Sequence, residues 1–88
     1  MKRFDVVFKQ GPLGLGFNFM IDTSSFPVTN VRAQAEAMGV RPGDDILIVG
    51  GVETARFATE DNPIEALGSE FRRAPRPLQI TFGRAESD

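Results

Sequence analysis

The chain has 88 residues, enough for one small domain and no second globular unit. Ten basic against twelve acidic side chains give a net charge of −2, which excludes the broad positive field of a general nucleic-acid binder. Histidine, cysteine and tyrosine are absent, so the commonest general bases and nucleophiles, disulfides and Cys-based metal sites are excluded together.

A Ser-Lys pair would have to use Lys2 or Lys9, both in or beside the first strand and without a serine nearby in sequence. The expectation is therefore a non-enzymatic domain with no cofactor and no metal. A cysteine-free chain suits a reducing, cytoplasmic setting. Its apolar runs are too short for a membrane span, and nothing reads as a signal peptide. The expected core runs from about Phe4 to Gly83, with 84–88 as a flexible tail.

In chain order, "RFDVVFKQ" alternates Phe4, Val6 and Phe8 against Asp5, Val7 and Lys9, the period of a strand with one buried face. "GFNFMID" repeats the pattern, with Phe17, Phe19 and Ile21 on one side. "FPVTNV" is a third short strand, joined to the second by the polar loop "DTSS". "AQAEAM" reads as a short helix stopped by Gly39. "RPGD" is a turn, and the apolar "DILIV" after it is a central strand. Gly50 and Gly51 close a tight hairpin into the short strand "VET".

"ARFATED" reads as a longer loop. It leads to a helix start in which Asn62 caps, Pro63 takes the first helical position and Glu65 favours the positive end of the dipole. That helix runs to about Ala74, before the prolines at 75 and 77. "PLQITFG" is the last strand, with Leu78, Ile80 and Phe82 inward. The fold class is mainly β with two α-helices, a small, partly open, six-stranded barrel or sandwich. Phe4, Phe8 and Phe82 are plain core. Asp44 and Asp45 read as solvated turn residues. Arg72, Arg73, Arg76 and Arg84 read as helix-end charge and wet surface, with acidic lipid head groups as the lesser reading.

The segment "GLGF" at 14–17 entering an alternating strand, then "FPVTNV", "AEAMGVRPGDDILIVGG", a helix and "RPLQITF", resembles a PDZ domain over nearly the whole chain. The resemblance implies a scaffold or adaptor module in signalling. A partner's C-terminal tail would add as a strand between the second strand and the second helix, with its carboxylate on the glycine-rich loop. The main-chain ladder would run from Phe17 through Asn18 and Phe19 to Ile21. The implied carboxylate donors are the amides of Leu15, Gly16 and Phe17. "PLGL" at 12–15 fits the looser family pattern, and in that register the donors are Leu13, Gly14 and Leu15. Ile64, Gly68 and Phe71 follow one helix stripe.

By the same resemblance, Phe71 overlies the pocket for the terminal residue, and Ile64 selects an apolar side chain two positions before it. Gly68 leaves room for a bulky group. Gln10 stands where the family usually has an Arg or Lys, with Lys9 one residue earlier. Capture of internal segments or of another PDZ-like domain, and a substrate-sensing role within a larger protease, are the competing expectations. The domain is expected to be monomeric alone and to reach the membrane face through partners.

Overall fold

The computed structural model describes residues 2–85. Of the expected tail, residues 86–88 lie outside that range. Six strands form two open antiparallel sheets: β1 (Lys2–Phe8), β2 (Leu15–Phe17), β3 (Val28–Val31), β4 (Asp45–Val49), β5 (Val52–Glu53) and β6 (Leu78–Arg84). The larger sheet has the order β1-β6-β4-β5, and β2 pairs with β3 in the smaller. The short helix α1 (Ala33–Ala37) follows β3, and the longer helix α2 (Pro63–Arg73) precedes β6.

Alternation places the core. Val6 and Phe8 of β1 and Leu78, Ile80 and Phe82 of β6 are buried at every second position, while on β4 a register shift sets the buried Ile46 and Val49 three residues apart. Phe82 lies at the centre of this layer, stacked on Phe4 at 5.5 Å and tilted against Phe8 at 6.4 Å between ring centroids. The two sheets are stitched by backbone bonds. The amide of Val28 donates to Asp44 O at 2.7 Å, and that of Ile46 to Phe26 O at 3.0 Å. As a result β3 is held on both sides, and β2 becomes the outer strand of its pair.

Local chemistry accounts for several boundaries. Gly50 and Gly51 have φ of +56° and +87°, the left-handed pair that a two-residue hairpin requires. The Asn62 side chain accepts from the Glu65 amide at 3.2 Å, and Pro63 opens α2 where no intrahelical donor is needed. Leu67 and Phe71, one turn apart, are the buried residues of this helix.

Four expectations need correction. The segment read as a loop, together with Thr54 from the end of the strand read as "VET", forms a 3₁₀ helix, Thr54–Thr59. Its first residue is buried, with the hydroxyl 2.8 Å from Ile46 O and 3.1 Å from Leu47 O, so a side chain anchors the turn to β4. Secondly, β2 is only three residues long and its pairing slips between Gly16 and Phe17. After that bulge the pairing continues only through Phe17 with Val28, the bond from Asn18 N to Pro27 O at 3.0 Å and the bridge between Met20 and Ser25 among the described residues, and Ile21 is 80% exposed in the turn.

Thirdly, Asp44 is not solvated. It is 2% exposed, and its carboxylate takes a forked pair of bonds from Arg84, Nε to Oδ1 at 2.8 Å and Nη2 to Oδ2 at 2.7 Å. Burial alone would raise this carboxyl. The bond from Arg84, the bond from the Arg41 amide and the charges of both arginines outweigh it and hold Asp44 below its ordinary value. Asp45 moves the other way, through burial and the adjacent Asp44 charge. Fourthly, Arg84 belongs to β6 rather than to a tail. It also donates to Gly39 O at 2.9 Å and covers the Phe4 ring at 4.8 Å.

Among the described residues no helix is long and apolar enough to cross a membrane. No group of three or more acidic or other metal-binding side chains is clustered among them.

Candidate functional site

Residues 9–14 connect β1 to β2, and every carbonyl in the segment except that of Gln10 takes a close internal bond. Lys9 O accepts from Arg76 Nη1 at 2.7 Å and from Gln34 Nε2 at 3.0 Å. Gln34 Nε2 also reaches Gln10 O at 3.4 Å and Pro12 O at 3.1 Å, and Arg76 Nη1 reaches Gly11 O at 2.8 Å. The carbonyl of Leu13 takes the Ala35 amide at 3.0 Å, and that of Gly14 takes the Arg32 amide at 2.9 Å.

The amides of the segment behave differently. Lys9 N donates to Gln34 Oε1 at 2.7 Å, but those of Gln10, Gly11, Leu13 and Gly14 donate to no protein acceptor among the described residues. Gly11 at φ +112° and Gly14 at φ +79° provide the left-handed turns that separate the two sets of groups. Backbone with its oxygens tied inward and its N–H groups left over presents partial positive charge, the electrostatic requirement for holding an anion.

The neighbouring strand has an open edge. The bonds from Arg32 N to Gly14 O and from Asn18 N to Pro27 O bracket β2 and direct the main-chain groups of Gly16 toward Asn30 of β3. In an antiparallel strand successive residues alternate in direction, so the N–H and C=O of Leu15 and Phe17 face the other edge. Among the described residues no strand occupies that edge. The same alternation bears on the two loop registers. The amides of Leu15, Gly16 and Phe17 lie in extended chain and do not converge, whereas those of Leu13 and Gly14 lie in the turn.

The predicted apolar residues come together in part. Leu13, Leu15, Phe17 and Phe19 are half-buried and pack on the core. The Phe17 ring meets Phe71 of α2 edge-on at 5.6 Å and Phe26 at 6.3 Å, and Phe19 lies 5.1 Å from Phe26. Asn18 is exposed, and its Oδ1 accepts from the Phe19 amide at 2.8 Å, which removes that amide from the open edge. The edge is therefore shorter than the ladder expected to reach Ile21. On α2, Phe71 is 8% exposed against Phe17, while Ile64 in the first turn is 43% exposed. Leu67, which the sequence reading left off the stripe, is the fully buried anchor of the helix.

A recess of about 350 Å³ lies between the loop and the end of α2, bordered by Gln10, Gly11, Phe71, Arg72, Ala74 and Arg76. The four arginines grouped in sequence do not form one patch. Arg72 pairs with Glu65 at 3.0 Å, Arg73 with Glu70, and Arg84 at the far end of β6 with Asp44, while Arg76 turns onto the loop. Arg76 and Gln34 are the site residues that sequence reasoning missed.

Gly68 is half-buried, and a methyl added there would meet only Arg72 Nη1, at an ordinary 3.5 Å. Gly68→Ala is therefore expected to stabilise the domain by about 1 kcal/mol through helix propensity, read as a higher urea midpoint. A lower midpoint would show that the space is not open.

No family model matches the chain, and no curated protein matches it.

Proposed function

We propose that this is a PDZ-like interaction domain without catalytic activity, which captures the C-terminal tails of partner proteins. The observation that carries the reading is the loop at 9–14, with five of its six carbonyls held internally within 3.1 Å and the amides of Gln10, Gly11, Leu13 and Gly14 without an acceptor among the described residues, beside the open edge of β2. A terminal carboxylate has the charge and size for such a nest, and an extended tail has the main-chain groups that the edge lacks.

Geometry supports the earlier of the two loop registers, because Gly16 points toward β3 and the amides without an acceptor among the described residues lie before it, at Gln10, Gly11, Leu13 and Gly14. The tail's last side chain inserts beside Phe17 and Phe71, and the side chain two positions back reaches Ile64, which offers no hydrogen bond and so favours an apolar residue. Short ladder pairing and two apolar anchors set against the ordering of a flexible peptide give an affinity of about micromolar.

The test is a library of peptides with free C termini, repeated with amidated ends. Each charge-assisted bond contributes roughly 1.5–3 kcal/mol, so amidation is expected to weaken binding by about 100-fold. Equal binding of acid and amide would overturn the carboxylate reading and point instead to capture of internal segments.

A further inference from the structure

We infer that Arg76, sixty-five residues beyond the loop, supplies the charge that holds the ligand carboxylate and replaces the cation that Gln10 does not provide. The inference rests on the proposed reading of the loop as a carboxylate site. Arg76 uses a single nitrogen for the fold: Nη1 gives its two protons to Lys9 O at 2.7 Å and to Gly11 O at 2.8 Å. Nε and Nη2 make no hydrogen bond among the described residues, and no acidic side chain among them pairs with this guanidinium.

The domain itself shows what that remaining edge does with a carboxylate. Arg84 grips Asp44 through the same two atoms, Nε and Nη2, at 2.8 and 2.7 Å. A planar guanidinium offers this fork on one side while its third nitrogen is fixed elsewhere, which an ammonium group does not do.

Position agrees with donor count. Arg76 is half-buried and borders the recess between the loop and α2, together with Arg72 and the loop residues Gln10 and Gly11, whose amides meet no acceptor among the described residues. An anion there meets main-chain donors on one side and a guanidinium fork on the other. The guanidinium also ties down the loop carbonyls, so one residue both shapes the nest and charges it. Arg72 borders the same recess but is engaged by Glu65, and its contribution is smaller.

The experiment compares wild type, Arg76→Gln and Arg76→Lys, with fluorescent peptides ending in Leu-Ala-Val as the free acid and as the amide, across a salt series. Thermal melting of each variant shows that it is folded. Arg76→Gln is expected to weaken the acid peptide by about tenfold, to leave the amide within about twofold, and to flatten the salt dependence. Arg76→Lys keeps a charge without the fork and is expected to fall between the two, with its salt dependence retained.

If wild type binds acid and amide alike, the carboxylate reading fails and this inference with it. If wild type prefers the acid but Arg76→Gln keeps wild-type affinity and salt dependence, the inference alone fails. Equal loss of acid and amide in both variants, with salt dependence unchanged, would reduce Arg76 to a clamp for the loop and overturn its role as the charge.

Discussion

Replacing Gly14 with alanine is expected to destabilise the domain by about 3 kcal/mol and to abolish peptide capture. Two independent costs meet at this residue. Its φ of +79° is strained for any side chain, and an added methyl would sit 1.7 Å from the Arg32 carbonyl oxygen and 3.2 Å from the Ala33 methyl. The obstacle is backbone, so relief requires β2 and the start of α1 to separate. Separation breaks the bonds from Arg32 N to Gly14 O and from Ala35 N to Leu13 O, and with them the orientation of the loop amides.

Gly39→Ala isolates the first cost. Its φ is +89°, and nothing lies within 4 Å of the added methyl, so the expected loss is about 1 kcal/mol. Urea unfolding of both variants makes the comparison. Equal midpoints would mean that the chain bends around the Gly14 methyl without penalty, and the close approach would then have no energetic weight.

Leu67→Ala is expected to cost about 3 kcal/mol, because the side chain is fully buried as part of the single hydrophobic core. For a domain of this size that is a large part of the total stability. Since Leu67 and Phe71 are what hold α2 down, the truncated helix also loses its position beside Phe17, and peptide affinity falls with stability.

Ile64, one turn earlier and exposed, is expected to behave in the opposite sense. Ile64→Ala changes stability by no more than about 0.5 kcal/mol but weakens peptides with an apolar residue two positions from the end. Chemical denaturation and a peptide titration on the same samples separate the two residues. An Ile64→Ala variant with unaltered ligand preference would move the specificity contact off the start of α2.

The sheet was legible because alternation is a local signal. Phe4, Val6 and Phe8 pair in register with Phe82, Ile80 and Leu78, and each set shows its period of two without reference to the other. The start of α2 was legible for the same reason, since Asn62, Pro63 and Glu65 act within one turn. What escaped depends on partners distant in the chain. Thr54 begins a 3₁₀ helix because its hydroxyl finds Ile46 and Leu47 carbonyls, and no pattern within "TARFAT" announces that.

Asp44 looked like a surface carboxylate until Arg84, forty residues on, was folded against it. The site divided along the same line. The glycine turn, Phe17 and Phe71 were visible as motif and stripe, whereas the shortness of β2 follows from a slip in pairing that the alternating "GFNFMID" conceals. Gln34 and Arg76 carried no signal as loop ligands, because one is a helix glutamine and the other sits among arginines that serve as surface charge.

The clamp on the 9–14 loop has one further consequence. Its two holders come from positions 22 to 25 and 65 to 67 residues away, so the loop takes this geometry only after α1 and the segment leading into β6 have docked. A hairpin peptide carrying "KQGPLGLGF" alone lacks both holders, and grafting that stretch onto a foreign scaffold would transfer the letters but not the shape. Shaping of the loop and folding are one cooperative event in this domain, and a ligand that seated in the loop would strengthen the hold of Gln34 and Arg76 on it.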